Sequence, residues 1–248
     1  MPSESRKPVS SQPTPAASGP PAGDVVMRDE AEIAKRYFGS FADDYHRAFE
    51  GTGQNPLHRL INSLFRRKTF ERRTDVVRGW LASFQIAGKH VLELGCGSGE
   101  VSIVAAQLGA RVTGLDIVPE MIEIARAGAR AAGVSETATF RVSNVANEPI
   151  EAADVVMMVG VIEYYRDIDR LLPRVCASTR ERLIIVDTRG PWWRRQLRYV
   201  LASVKQFHLY YHAPDRVAAI VRASGFEETH RVAGHSYTAF AFRRTTPA

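Results

Sequence analysis

Cysteine is scarce in this chain: 248 residues contain two, Cys96 and Cys176. Two thiols cannot build a disulfide framework of the secreted kind, so a reducing cytoplasm is expected. No apolar run approaches the length of a membrane span, and the first residues lack the hydrophobic segment of a signal peptide, so the protein is expected to be soluble. His, Asp and Glu nowhere cluster at metal-ligand spacing, and no metal is expected. The remaining composition, 45% hydrophobic and 24% charged, is that of an ordinary globular domain with a sizeable core.

Proline is concentrated where apolar residues are missing. Residues 1–26 hold six of the thirteen prolines, with Ser, Ala and Gly between them. Such a segment cannot bury enough surface to offset its ordering entropy, which predicts a disordered tail over residues 1–28. From residue 29 to 87 the pattern is helical. Ile33, Tyr37, Phe41 and Tyr45 recur every four residues, and Pro56 opens a long basic helix that reaches Leu81 and ends before Gly88.

The net charge is +6, and its location matters more than its total. From Arg47 to Arg78 there are eight basic and three acidic residues, and from Arg189 to Lys205 five basic residues and no acid. Solvated helix faces explain both runs. A phosphate, a carboxylate or a peripheral membrane contact would also suit them, while nucleic acid is the less favoured partner.

The most informative stretch is Val91-Leu92-Glu93-Leu94-Gly95-Cys96-Gly97-Ser98-Gly99. It predicts a buried strand, a glycine turn close to a ligand, and a helix from Val101 whose free N–H groups point at the turn. A tight turn without ligand accounts for the glycines but leaves Glu93 without a role at the end of a buried strand. Gly97 and Gly99 have one residue between them where a dinucleotide fingerprint has two, which disfavours an NAD-dependent oxidoreductase. Strand and helix then alternate to Asp187, and Phe226–Val232 with Tyr237–Arg243 form a hairpin. An α/β doubly wound sheet with helices on both faces and an antiparallel C-terminal hairpin follows.

Glu93 to Gly99, with Val112-Thr113-Gly114-Leu115-Asp116 and Pro119-Glu120-Met121-Ile122, resembles the first two motifs of class I S-adenosylmethionine-dependent methyltransferases. Over residues 88–244 the layout resembles ubiquinone-type O-methyltransferases and, more distantly, magnesium-protoporphyrin methyltransferases. The resemblance implies a Rossmann-like seven-stranded sheet and S-adenosyl-L-methionine as cofactor. It assigns the cofactor site to Glu93, Gly95, Cys96, Gly97, Asp116, Ile117, Met121, Asn144, Val145 and Val159, with Tyr37 and Tyr45 on a lid helix. Asp116 would accept the ribose hydroxyls; its alternative is an N-cap. Ile117 and Met121 would flank the adenine. Family members carry Asp where this chain has Asn144, which keeps a carbonyl acceptor.

The fourth strand ends in Glu163-Tyr164, where many small-molecule O-methyltransferases have Glu-His, so no general base is carried over. Glu163, His208 and His212 are the candidates for one, although Glu163 also suits a helix start and either histidine a structural role. An insertion over about 189–214, rich in Trp, Tyr, His and Arg, would cover an aromatic or acidic small-molecule acceptor. The expected reaction is methyl transfer to a hydroxyl or carboxylate oxygen. Transfer to N or C, and a non-catalytic basic protein that binds RNA or membrane, are the alternatives.

Overall fold

The computed structural model describes Lys35, residues 68–188 and residues 209–245. The expected tail, the lid tyrosines Tyr37 and Tyr45, His208 and most of the insertion lie outside the described residues. The first described element, α1, spans Lys68–Ser83. It stops short of Gly88.

The sheet forms because successive segments are apolar on both faces. In β4 (Ala153–Val159), Val155, Met157 and Val159 enter one core cluster while Val156 and Met158 enter the other. A strand buried on both sides reads as a continuous apolar run, as expected within a parallel sheet. The strands β1 (His90–Leu94), β2 (Arg111–Asp116), β3 (Ala138–Val142) and β5 (Thr179–Thr188) join β4 in parallel, with β6 (Phe226–Ala233) and β7 (Tyr237–Arg244) completing the order β3-β2-β1-β4-β5-β7-β6. β7 enters antiparallel between β5 and β6.

Helices cover both faces. α1, α2 (Glu100–Gln107) and α3 (Pro119–Ala131) supply Val77, Leu81, Val101, Ala105, Ile122 and Ala125 to one cluster. On the other face, α4 (Ile168–Ser178) and α5 (Pro214–Ala223) pack Leu171, Leu172, Val175, Val217 and Val221 against Phe240 and Phe242. Both rings are fully buried, each contributing about 2–3 kcal/mol by area. α4 tolerates an interior Pro173, and Asp167 caps its start by accepting the Arg170 N–H at 3.1 Å. The exposed edge β6 carries Glu227, Glu228, His230 and Arg231, charges that discourage edge-to-edge pairing.

Candidate cofactor and acceptor site

The glycine turn sits at the carboxyl ends of β1 and β2. Gly95 and Cys96 both donate their N–H groups to the Leu115 carbonyl, at 2.7 and 2.9 Å, which extends the β1–β2 ladder into the turn. Its glycines serve separate purposes. A Cβ on Gly95 would run into the Val161 side chain, so the turn after β4 packs directly on this residue. Gly99, at φ +77°, lies where a Cβ would come 2.8 Å from Ala125 and from Phe140. Gly97 has φ +52° and no atom within 4 Å of such a Cβ. Open space over a backbone bent into the left-handed region is what a ligand-facing position requires.

Asp116 ties the turn to the end of β2. Its Oδ2 accepts the Gly97 N–H at 2.8 Å and its Oδ1 the Val118 N–H at 2.9 Å. Each oxygen keeps a second lone pair, so the carboxylate can still accept two hydroxyls. Val118 is itself the N-cap of α3, so the N-cap alternative for Asp116 is corrected: the carboxylate fastens the entry to the helix rather than its first turn. Burial raises the Asp116 pKa, opposed by the N–H groups of Val118, Gly97 and Ile117. Beside it Ile117, Val118, Met121 and Ile124 form a small apolar cluster separate from both cores.

Glu93 is 2% exposed and pairs in register with Gly114 on one side and Met157 on the other. The expectation that only a ligand could employ it is corrected. Its Oε2 accepts the Ser102 hydroxyl at 2.6 Å, and its carboxyl also meets the Ser102 backbone N–H. The N-cap of α2 is Gly99, which has no side chain to offer, so Glu93 serves that helix end from the neighbouring strand. Burial pushes its pKa up to about 7, with Asp116 adding to the rise and Ser102 and Arg73 opposing it.

Arg73, one of the basic residues of α1, lies among the acids. Its Nη1 donates to Thr188 Oγ1 at 3.3 Å, and a Cβ on Gly160 would come within 2.6 Å of that nitrogen. Burial lowers its pKa, while Glu163, Tyr164, Glu100 and Glu93 act to raise it. The available signal is periodicity: Arg73, Val77, Trp80 and Leu81 share the buried stripe of α1, so the arginine stands on an apolar face while Arg72 is exposed.

Several expected contacts change in kind. The Cys96 side chain packs in the core against Phe140 and Gly114, burial raising its thiol pKa, so only its backbone faces the turn. Val145 and Val159 are likewise core residues. Asn144 Oδ1 accepts the Ala146 N–H at 3.1 Å, a local turn that holds the carbonyl by one lone pair.

At the acceptor end, Glu163 is 1% exposed within the 3-10 turn Ile162–Tyr164. Tyr210 donates its N–H to the Glu163 carbonyl at 2.8 Å, and His212 Nε2 donates to the Tyr165 carbonyl at the same distance. These two bonds clasp residues 209–213 to the turn after β4, bringing Tyr164, Tyr165, Tyr210 and Tyr211, all half-buried, into one region. The Nε2 nitrogen of His212 thus carries a proton donated to backbone, and burial lowers the ring's pKa.

Among the described residues no three His, Cys, Asp or Glu side chains could hold a metal ion, and no helix is long and apolar enough to cross a membrane. Residues 91–182 match a family described as "Methyltransferase domain". The chain is 37% identical over 99 residues to a ubiquinone biosynthesis O-methyltransferase of Methylobacterium, covering 38% of each protein. It is 43% identical over 79 residues to a ribosomal protein L11 methyltransferase of Pseudomonas paraeruginosa, covering 32% of this chain and 26% of the relative. The matched stretches thus span less than two fifths of these relatives' own length. In fold, the chain superposes on magnesium protoporphyrin IX methyltransferase from Synechocystis with a TM-score of 0.70 at 23% identity, covering 87% of this chain and 99% of that one. The order of the seven strands agrees with the fold match, and residues 91–182 are similar to methyltransferase domains.

Proposed function

We propose that the protein transfers a methyl group from S-adenosyl-L-methionine to an oxygen of an aromatic or amphipathic small molecule. The observation that carries the donor half is the Gly97–Asp116 bond, which sets a carboxylate with open acceptor capacity beside a turn with open space above it. Asp116 would hold the ribose and the Ile117–Met121 cluster the adenine face. The amino-acid end of the cofactor is a zwitterion, and Glu93 with Arg73 offers one charge of each sign toward it. The cofactor supplies an activated methyl group, so these residues need only orient it and keep water out.

The acceptor half rests on the clasp between residues 209–213 and the turn of Glu163–Tyr165, which assembles four tyrosines at the end of β4. Planar side chains of this kind suit an aromatic acceptor. The relatives named above include one for a small molecule and one for a ribosomal protein, so the portion they share with this chain speaks for the donor rather than the acceptor. The two buried free thiols support a reducing, cytoplasmic setting.

The test is incubation of the purified full chain and cell extract with methyl-labelled donor, followed by mass measurement of the product. A labelled small molecule carrying one added methyl on oxygen is expected. Label recovered only in protein or RNA, or none above an Asp116→Ala control, would exclude this reading.

A further inference from the structure

Residues 144–148, close behind β3, make a single turn that is fixed from three sides. Its own backbone closes it: Asn147 and Glu148 donate their N–H groups to the Asn144 carbonyl, at 3.0 and 2.9 Å. β2 holds its start, where the Ser143 N–H reaches the Asp116 carbonyl at 2.9 Å. Asn144 therefore follows directly on the strand tip that carries the proposed ribose acceptor. The third grip comes from α4. Arg174 Nη1 donates to the Ala146 carbonyl at 2.7 Å and its Nη2 to the Glu148 carbonyl at 2.8 Å, while Val145 packs in the same core cluster as Leu171 and Val175. A guanidinium presents its N–H groups in one rigid plane, so a single side chain meets two carbonyls at once.

Resting on the donor reading above, we propose that Arg174 is a positioning residue for recognition of the cofactor's base: its guanidinium fixes the turn so that the Asn144 side-chain carbonyl accepts the 6-amino group of adenine. The link is short. Arg174 holds the Ala146 carbonyl, Ala146 gives its own N–H to Asn144 Oδ1 at 3.1 Å, and that bond sets the direction of the oxygen's second lone pair. Without Arg174 the backbone bonds to Asn144 still close the turn, but two of its carbonyls turn to water and the Asn144 oxygen is aimed less sharply. Arg174 acts through Asn144, from a helix on the far side of the turn, and not on the cofactor itself.

The experiment is calorimetric titration of the full chain with S-adenosylhomocysteine and with S-inosylhomocysteine, in which an oxygen replaces the 6-amino group. The natural protein should prefer the adenine compound by about tenfold or more. Arg174→Met should reduce that preference to about twofold, chiefly by weakening the adenine compound, and Asn144→Ala should do the same. In the double variant the preference should fall no further, as expected of two residues acting through one contact. Arg174→Gln keeps an amide donor for one of the two carbonyls and should lie between; where Arg174→Met does not fold, this variant is read in its place. A preference unchanged by either Arg174 variant, an equal loss for both ligands, or additive effects in the double variant overturns the proposal and leaves the donor reading intact. So does a natural protein that binds both ligands alike. No binding of S-adenosylhomocysteine by the natural protein overturns both.

Discussion

The Gly97 N–H and the Asp116 carboxylate, nineteen residues apart in the chain, meet at 2.8 Å. Through this bond the end of β2 holds the turn that leaves β1, so the geometry of the loop and the proposed ribose contact depend on one side chain.

Asp116→Ala therefore removes two bonds from the fold as well as the proposed ribose acceptor. A stability loss of about 1–3 kcal/mol is expected, with S-adenosylhomocysteine affinity falling by at least a hundredfold. Asp116→Asn is expected to recover part of the stability and little of the affinity, since its amide nitrogen must face one of two N–H donors. Denaturant unfolding and calorimetry measure the two separately.

The last two glycines of the motif should fail in different ways. Gly99→Ala drives a methyl into Ala125 and Phe140 at positive φ, and a loss of about 2–4 kcal/mol is expected. Gly97→Ala meets no protein atom, so its stability cost should be only about 1 kcal/mol while cofactor binding collapses. Thermal unfolding with and without S-adenosylhomocysteine distinguishes them: equal behaviour of the two variants would mean that Gly97 does not face the ligand.

Glu93 makes stability depend on pH in a definite sense. Its pKa is about 7 in the folded chain against an ordinary 4.5, so between these values the native state holds more protons than the unfolded one. Its contribution is complete below pH 4.5 and is lost as pH rises through 7, a change on the order of 3 kcal/mol. Glu93→Gln does not titrate. Urea unfolding should show the variant gaining on the natural protein between pH 5 and pH 8, and a gap that stays constant would contradict the burial argument.

His212 should matter to the acceptor end and not to the donor end. Its pKa is lowered, so its stabilising contribution is present above about 6.5 and fades as pH falls through the folded value. His212→Leu leaves the Tyr165 carbonyl without its donor, at a cost of about 1–3 kcal/mol, and His212→Gln restores a donor. Both variants should bind S-adenosylhomocysteine as the natural protein does.

Much of the architecture follows from local pattern. Val91 to Gly99 and Arg111 to Asp116 are recognisable because a parallel strand buried on both faces must be continuously apolar, and because only glycine tolerates the turn between strand and helix. The sequence by itself thus determined the alternation of strand and helix, the position of the turn and the two acids at the strand tips. Tertiary structure alone decided what those acids touch. Glu93 reaches Ser102 because a glycine N-cap leaves the start of α2 without a side chain, and Arg73 joins the site because α1 lays its buried stripe across the sheet. His212 likewise becomes a clasp only when residues 209–213 come to lie along the turn after β4. Strand periodicity is a property of neighbouring residues. Which buried charges meet depends on how distant segments pack, and no local spacing records it.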